Sequence, residues 1–121
     1  MIFDTSAWIE FLINSEKTQV IERIIENEKC FTCNISIAEL SAWIEKEKLG
    51  RKIIDIIKKN SVIIDVDHEI LEKAGIVKMQ KRKKIKNFVL IDAIILSTAR
   101  EYGQQILTKD KHFSGENVLM L

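Results

Sequence analysis

The chain has no proline, four glycines, two cysteines, two histidines and a single tyrosine among its 121 residues. With no proline there is no proline-rich linker, and no repeat or low-complexity tract divides the chain. One compact domain spanning residues 1–121, with one sizeable core, is therefore expected. The longest apolar run, Phe88 to Leu96, is broken by Asp92 and falls well short of the roughly 20 residues that a membrane-spanning helix needs. The N-terminal residues do not follow the basic, apolar, small-residue order of a secretion signal. A soluble, cytoplasmic protein with no membrane partner is expected.

The scarcity of cysteine and histidine excludes more. Cys30 and Cys33 form a lone C-x-x-C, but a structural zinc requires four ligands, and His68 and His112 are the only histidines. Lys29 to Asn34 reads as a short buried strand, on which residues three apart point to opposite faces. The two thiols are therefore expected to be small apolar core groups, not a redox pair or half of a zinc site.

Charge of one sign is lacking overall, since the formal net charge is +1. Its distribution is uneven: residues 1–77 carry 10 Lys/Arg against 14 Asp/Glu, and residues 78–121 carry 9 against 4. The basic excess is concentrated in Lys78, Lys81, Arg82, Lys83, Lys84 and Lys86. It fits phosphate contacts from Lys81, Arg82, Lys83 and Lys84, and equally a solvated helix end whose cations suit the negative pole of the helix dipole.

Apolar periodicity alternates between strand-like runs and helical patterns, the signature of an α/β domain built on a parallel sheet. The pattern predicts four or five strands: Ile2 to Asp4, Cys30 to Cys33, Val62 to Val66, Gln105 to Thr108 and, as a fifth, Asn117 to Met120. Helices are predicted over Ser6–Asn14, Thr18–Asn27, Ser36–Leu49 ended by Gly50, Arg51–Asn60, Asp67–Lys84, and Phe88–Tyr102 ended by Gly103.

Four carboxylates interrupt these apolar segments: Asp4 after the first strand, Glu39 within Ile35-Ser36-Ile37-Ala38-Glu39-Leu40, Asp92 within Val89 to Ile95, and Asp110 after Ile106-Leu107-Thr108-Lys109. Desolvating an unpaired carboxylate costs several kcal/mol, so the four need a compensating partner, and a divalent cation with oxygen ligands is the simplest. Local explanations also exist. Ser36-x-x-Glu39 has the spacing of a capping box, Asp4 could cap the first helix, and Asp110 could open a turn. Asp92 has none, because the pattern places it mid-helix among apolar neighbours. The acidic pair Asp65 and Asp67 reads as structural, with Asp65 pointing outward and Asp67 an N-cap. His112 reads as a surface residue, substrate contact being the alternative.

Taken together, Ile2-Phe3-Asp4-Thr5-Ser6, Ser36-Ile37-Ala38-Glu39-Leu40, Ile91-Asp92-Ala93-Ile94-Ile95 with Ala99, and Leu107-Thr108-Lys109-Asp110-Lys111-His112-Phe113 resemble the PIN domain superfamily. Within it they resemble the VapC-type ribonuclease toxins. Leu90-Ile91 depart from the small residues that often precede the third acid in that family. The resemblance implies an α/β, three-layer Rossmann-like fold, a short parallel sheet of four or five strands flanked by helices. It implies that Asp4, Glu39, Asp92 and Asp110 converge on one or two Mg²⁺ or Mn²⁺ ions, with Thr5 or Ser6 and Thr108 as supporting hydroxyls. The implied activity is metal-dependent hydrolysis of phosphodiesters in a single-stranded or structured RNA, leaving 5′-phosphate and 3′-hydroxyl. The implied partners are a small antitoxin and a second copy in a homodimer, with Trp8, Phe11, Leu12 and Trp43 as either that surface or core. Competing readings are a non-catalytic PIN-like module that binds RNA or protein, and an RNA-processing PIN nuclease that is not a toxin. A receiver-like phosphoacceptor domain would want an adjacent acidic pair after the first strand, where Thr5-Ser6 follow Asp4.

Overall fold

The short runs rich in β-branched and aromatic residues form the strands of one parallel sheet. In the computed structural model, which describes residues 1–121, these are β1 (Ile2–Phe3), β2 (Phe31–Cys33), β3 (Val62–Ile64), β4 (Ile106–Thr108) and β5 (Val118–Met120). Their order across the sheet is β3-β2-β1-β4-β5, every pair parallel. Parallel neighbours need long crossovers, and the helices supply them: α1 (Thr5–Leu12), α2 (Thr18–Asn27), α3 (Asn34–Lys46), α4 (Ile53–Asn60), α5 (His68–Arg82) and α6 (Leu90–Tyr102). A 3-10 turn, Lys111–Phe113, lies between β4 and β5.

Alternation along the strands sorts the side chains into two cores. Met1, Phe3, Cys30 and Leu107 pack with Ala7, Trp8, Ile21, Leu40, Ile44, Ile54 and Ile57 of α1 to α4. Ile2, Cys33, Ile64 and Ile106 pack on the other face with residues of α5 and α6, among them Ala74, Val77, Ala93, Ile94 and Leu96. The result is the expected three-layer arrangement. Cys30 and Cys33, both free and buried, fall in different cores, as their odd spacing requires. Burial pushes the Cys33 thiol up to about 11. Asp65 is exposed, and Asp67 caps α5 by accepting from the Ile70 amide at 2.9 Å.

One expectation changes, and one left open is decided. The helix predicted to run to Leu49 and stop at Gly50 ends at Lys46, and the left-handed residue that follows is Lys48, with φ 54°. Gly103 does close α6 in the left-handed conformation, φ 60°. Trp8, a candidate for a partner surface, is wholly buried, its ring 4.8 Å from Phe3 and its Nε1 donating to Thr32 Oγ1 at 2.9 Å. Phe11, Leu12 and Trp43 are half-buried against the same core. The large apolar side chains most open to solvent are instead Met79 and Ile76 of α5, at 66% and 61% exposed.

The two glycines separate by experiment. A side chain in the left-handed region costs roughly 1–2 kcal/mol, so Gly103→Ala is expected to destabilise by about 1 kcal/mol. Gly50→Ala, where φ is ordinary and nothing lies within 4 Å of the added carbon, should be neutral or slightly stabilising. Urea unfolding midpoints of the two variants check this.

Candidate active site

In open α/β sheets, ligands collect beyond the carboxyl ends of the strands where the strand order reverses direction. Here the reversal lies between β1 and β4. Asp4 is the residue after β1, and Asp110 lies two residues beyond β4. α3 and α6 bring Glu39 and Asp92 to the same place. A cleft of about 210 Å³ is lined by Asp4, Thr5, Ser6, Ile9, Glu39, Asp92, Ile95 and Asp110. All four acids therefore meet in one cavity, although they are drawn from four separate segments.

Asp4 is the most deeply set, only 4% exposed. One oxygen, Oδ1, accepts from Ser6 Oγ at 2.7 Å and from the Ala7 amide at 2.9 Å, and the other accepts from Thr108 Oγ1 at 2.5 Å. It thus caps α1, as local reasoning allowed, while also facing the cleft. Burial raises its pKa to about 6 against the lowering effect of Thr108, Ser6 and the Ala7 amide, and nearby Asp110 raises it further. Having donated to Asp4, the two hydroxyls accept in turn: Ser6 Oγ from the Lys109 amide at 2.9 Å, and Thr108 Oγ1 from the Asp110 amide at 2.9 Å. The 3.4 Å approach of Ser6 Oγ to Thr108 Oγ1 is then a contact between oxygens whose protons already point elsewhere.

The capping arguments come out reversed at the other helices. α3 begins at Asn34, Ser36 Oγ is buried without a hydrogen-bond partner, and Glu39 accepts instead from Thr5 Oγ1 at 2.5 Å. No capping box forms there. Asp92 is not mid-helix, as the periodicity suggested, but lies in the first turn of α6, where its Oδ2 accepts weakly from the Val89 amide at 3.4 Å. Its side chain is 13% exposed, and burial raises its pKa, partly offset by the Val89 amide and augmented by Asp110. Asp110 Oδ1 accepts from the His112 amide at 2.9 Å and so caps the 3-10 turn, as the turn reading allowed.

His112 is the residue that the sequence reading undervalued. The turn folds it back so that Nδ1 lies 3.5 Å from both Asp92 Oδ2 and Asp110 Oδ1. A nitrogen two residues past a turn-capping aspartate was the available signal, but turn geometry has no periodicity to betray it. The donor atoms of Asp92, Asp110 and His112 all lie within 4.8 Å of one another, close enough to share an ion. Hard carboxylate oxygens suit Mg²⁺ or Mn²⁺, and Nδ1 is buried with no hydrogen-bond partner, so the donor set fits a divalent cation. Of the basic residues, Lys81 is held by Glu116, which also binds Arg100 at 3.0 Å, and Lys109 Nζ is held by Glu10 at 2.6 Å. Arg82, the last residue of α5, and Lys83 and Lys84 just beyond it are exposed.

A family model for the PIN domain matches residues 1–115. The chain belongs to the PIN domain family. No curated protein matches it at a significant level. Its fold is similar to VapBC2 of Rickettsia felis bound to a DNA fragment from its promoter, with a TM-score of 0.79 at 18% identity over 99% of this chain and 98% of that one. A toxin–antitoxin complex from Klebsiella pneumoniae gives 0.77 at 20% identity over 98% and 95%. VapC20 of Mycobacterium tuberculosis, a sarcin–ricin loop cleaving toxin, gives 0.74 at 18% identity over 94% and 93%. The parallel five-stranded sheet with helices on both faces is thus the PIN fold, as the resemblance implied. No helix is long and apolar enough to cross a membrane.

The state of Asp4 sets a pH dependence for this PIN domain when no cation is bound. Its folded pKa of about 6 lies above the ordinary 3.8, so the folded chain holds that proton more tightly than the unfolded chain. The stability it contributes is fully present below pH 3.8 and is lost as pH rises through about 6, a difference of about 3 kcal/mol. Asp4→Asn, which keeps a capping side chain, is expected to melt at a higher temperature than the parent in chelator at about pH 8, and to lose that advantage by about pH 4. Thermal melts across that range check it.

Proposed function

We propose that this PIN domain is a divalent-metal-dependent endoribonuclease and the toxin component of a toxin–antitoxin pair. The observation that carries the reading is the convergence of Asp4, Glu39, Asp92 and Asp110 on one cleft at the switch point of the sheet. Local hydrogen bonds account for Asp4, Asp92 and Asp110 singly, but not for four acids sharing one cleft. Mutual repulsion and desolvation disfavour the cluster unless a cation compensates it.

Asp92 and Asp110, with Asp4 and Glu39, would hold one or two Mg²⁺ or Mn²⁺ ions. Such an ion makes water easier to deprotonate and polarises the phosphoryl oxygens. The chain's own part is orientation. Ser6, the Ala7 amide and Thr108 hold the Asp4 carboxylate in one pose, and Thr5 holds Glu39 where it can bind the ion or align the attacking water. In-line attack forms a bond from the water oxygen to phosphorus and breaks the bond to O3′. The leaving oxygen takes a proton, giving 5′-phosphate and 3′-hydroxyl ends. No serine, cysteine or histidine nucleophile is required.

Arg82, Lys83 and Lys84 precede α6, at whose start Asp92 sits, and would meet RNA phosphates as the strand enters the cleft. Lys81 supports that segment through Glu116. The likeness of fold to chains from VapBC assemblies supports a small antitoxin partner; a homodimer is proposed beside it, and the exposed Ile76 and Met79 of α5 offer apolar area to one of them.

Incubation of the purified chain with end-labelled single-stranded RNA tests the activity. Cleavage is expected with Mg²⁺ or Mn²⁺, to stop with EDTA, and to fall by about 100-fold or more in Asp92→Asn, at or beyond the upper end of what even an outer-shell partner costs. Equal activity in parent and variant would point to a contaminating nuclease. Inactivity of a folded parent on every RNA and metal tried would favour a non-catalytic binding module. Replacing Arg82, Lys83 and Lys84 together by alanine should raise KM and flatten the slope of log KM against log salt by about 2 if each meets one phosphate of a single strand.

A further inference from the structure

We propose that His112 is a nitrogen ligand to the cation of this cleft and biases the site toward transition-metal dications over Mg²⁺. The inference rests on the nuclease reading and deepens it.

Three observations carry it. The first is position: Nδ1 stands 3.5 Å from a carboxylate oxygen of Asp92 and 3.5 Å from one of Asp110, residues that reach the cleft from different elements. Donor atoms around one ion with bonds of about 2.1 Å lie roughly 3–3.5 Å apart, which is the spacing of Nδ1 from each carboxylate, and all three donors lie within 4.8 Å of one another. The second is that the atom's only polar neighbours are these two carboxylates. Nδ1 is withdrawn from solvent and makes no hydrogen bond to either carboxylate. A lone pair on Nδ1 would face two acceptors with nothing between them, and either a proton on Nδ1 or a bound cation resolves that contact, the cation alone giving the metal-nitrogen signature tested below.

The third is rigidity. Asp110 holds the His112 amide at 2.9 Å, and the next residue, Phe113, is wholly buried, its ring packed edge-on against Phe88 at 6.2 Å. The ring is thus carried on a pinned turn between two fixed points, not on a free loop. Imidazole nitrogen suits the transition metals, whereas Mg²⁺ prefers an all-oxygen shell with several waters. A site of carboxylates alone would not discriminate in this way.

The test uses Mn²⁺ as probe on the chelator-stripped full chain. Pulsed electron paramagnetic resonance is expected to show nitrogen hyperfine coupling in the parent and in His68→Ala, which removes the only other imidazole. The coupling should vanish in both His112→Ala and His112→Asn, each checked for folding by its melt in chelator. The Mg²⁺ concentration that displaces half of the Mn²⁺ should fall by about tenfold or more in those two variants. Mn²⁺ bound without nitrogen coupling in the parent, or coupling and displacement unchanged in both His112 variants, overturns the inference and leaves the nuclease reading standing. A folded parent that binds neither ion overturns the nuclease reading itself.

Discussion

The carboxylate of Asp4 is the constraint from which the rest of the site follows. It is buried at the end of β1 and accepts hydrogen bonds from Ser6, from the Ala7 amide at the start of α1, and from Thr108 at the end of β4. One side chain therefore joins the central strand, the first helix and the strand across the switch point. Because Ser6 and Thr108 spend their protons on Asp4, their oxygens are free to receive the Lys109 and Asp110 amides, so the backbone leaving β4 is steered by the same group. Asp110 and the turn that carries His112 are placed at one remove by Asp4. Hydrogen bonds to a charged acceptor are the strong ones, which suits them to this joining role.

That arrangement works against the stability of the empty fold. Asp4 and Asp92 are both displaced toward protonation, chiefly by burial and in part by Asp110. A domain of this size has only about 5–15 kcal/mol of net stability, so carboxylates held in apolar surroundings draw on a small reserve. A cation that bound the folded state and neutralised the acids would recover that energy by mass action. Destabilisation of the free protein and affinity for such an ion would then be two measures of one interaction. The rigid sheet and the two cores that flank it hold the acids together despite their repulsion.

Much of this architecture was legible in the order of residues. Five short strands and six helices follow the switches in apolar period to within a few residues, and Cys30 and Cys33 went to opposite faces because strand alternation leaves no other choice. Gly103 ends α6 as its place in the pattern implied, but Gly50 ends nothing, because α3 unwinds a turn earlier and Lys48 takes the left-handed conformation. Propensity names the residue best suited to stop a helix. Where the helix stops depends on how many turns its neighbours cover.

The site divides along the same line. That Asp4, Glu39, Asp92 and Asp110 stand out was decided by the sequence alone, since a carboxylate inside an apolar run is anomalous whatever the fold. Which of them also does local work was not. Glu39, whose spacing from Ser36 fits a cap, caps nothing, and Asp92, which seemed to have no local role, braces the start of α6. His112 read as a surface residue with substrate contact as the alternative, and its approach to Asp92 was hidden because it depends on a turn meeting a helix about twenty residues earlier in the chain. Periodicity and capping are properties of neighbours in sequence and can be read from it. The distance between two side chains on different elements is set by how the sheet and helices pack, and only the tertiary structure decides that.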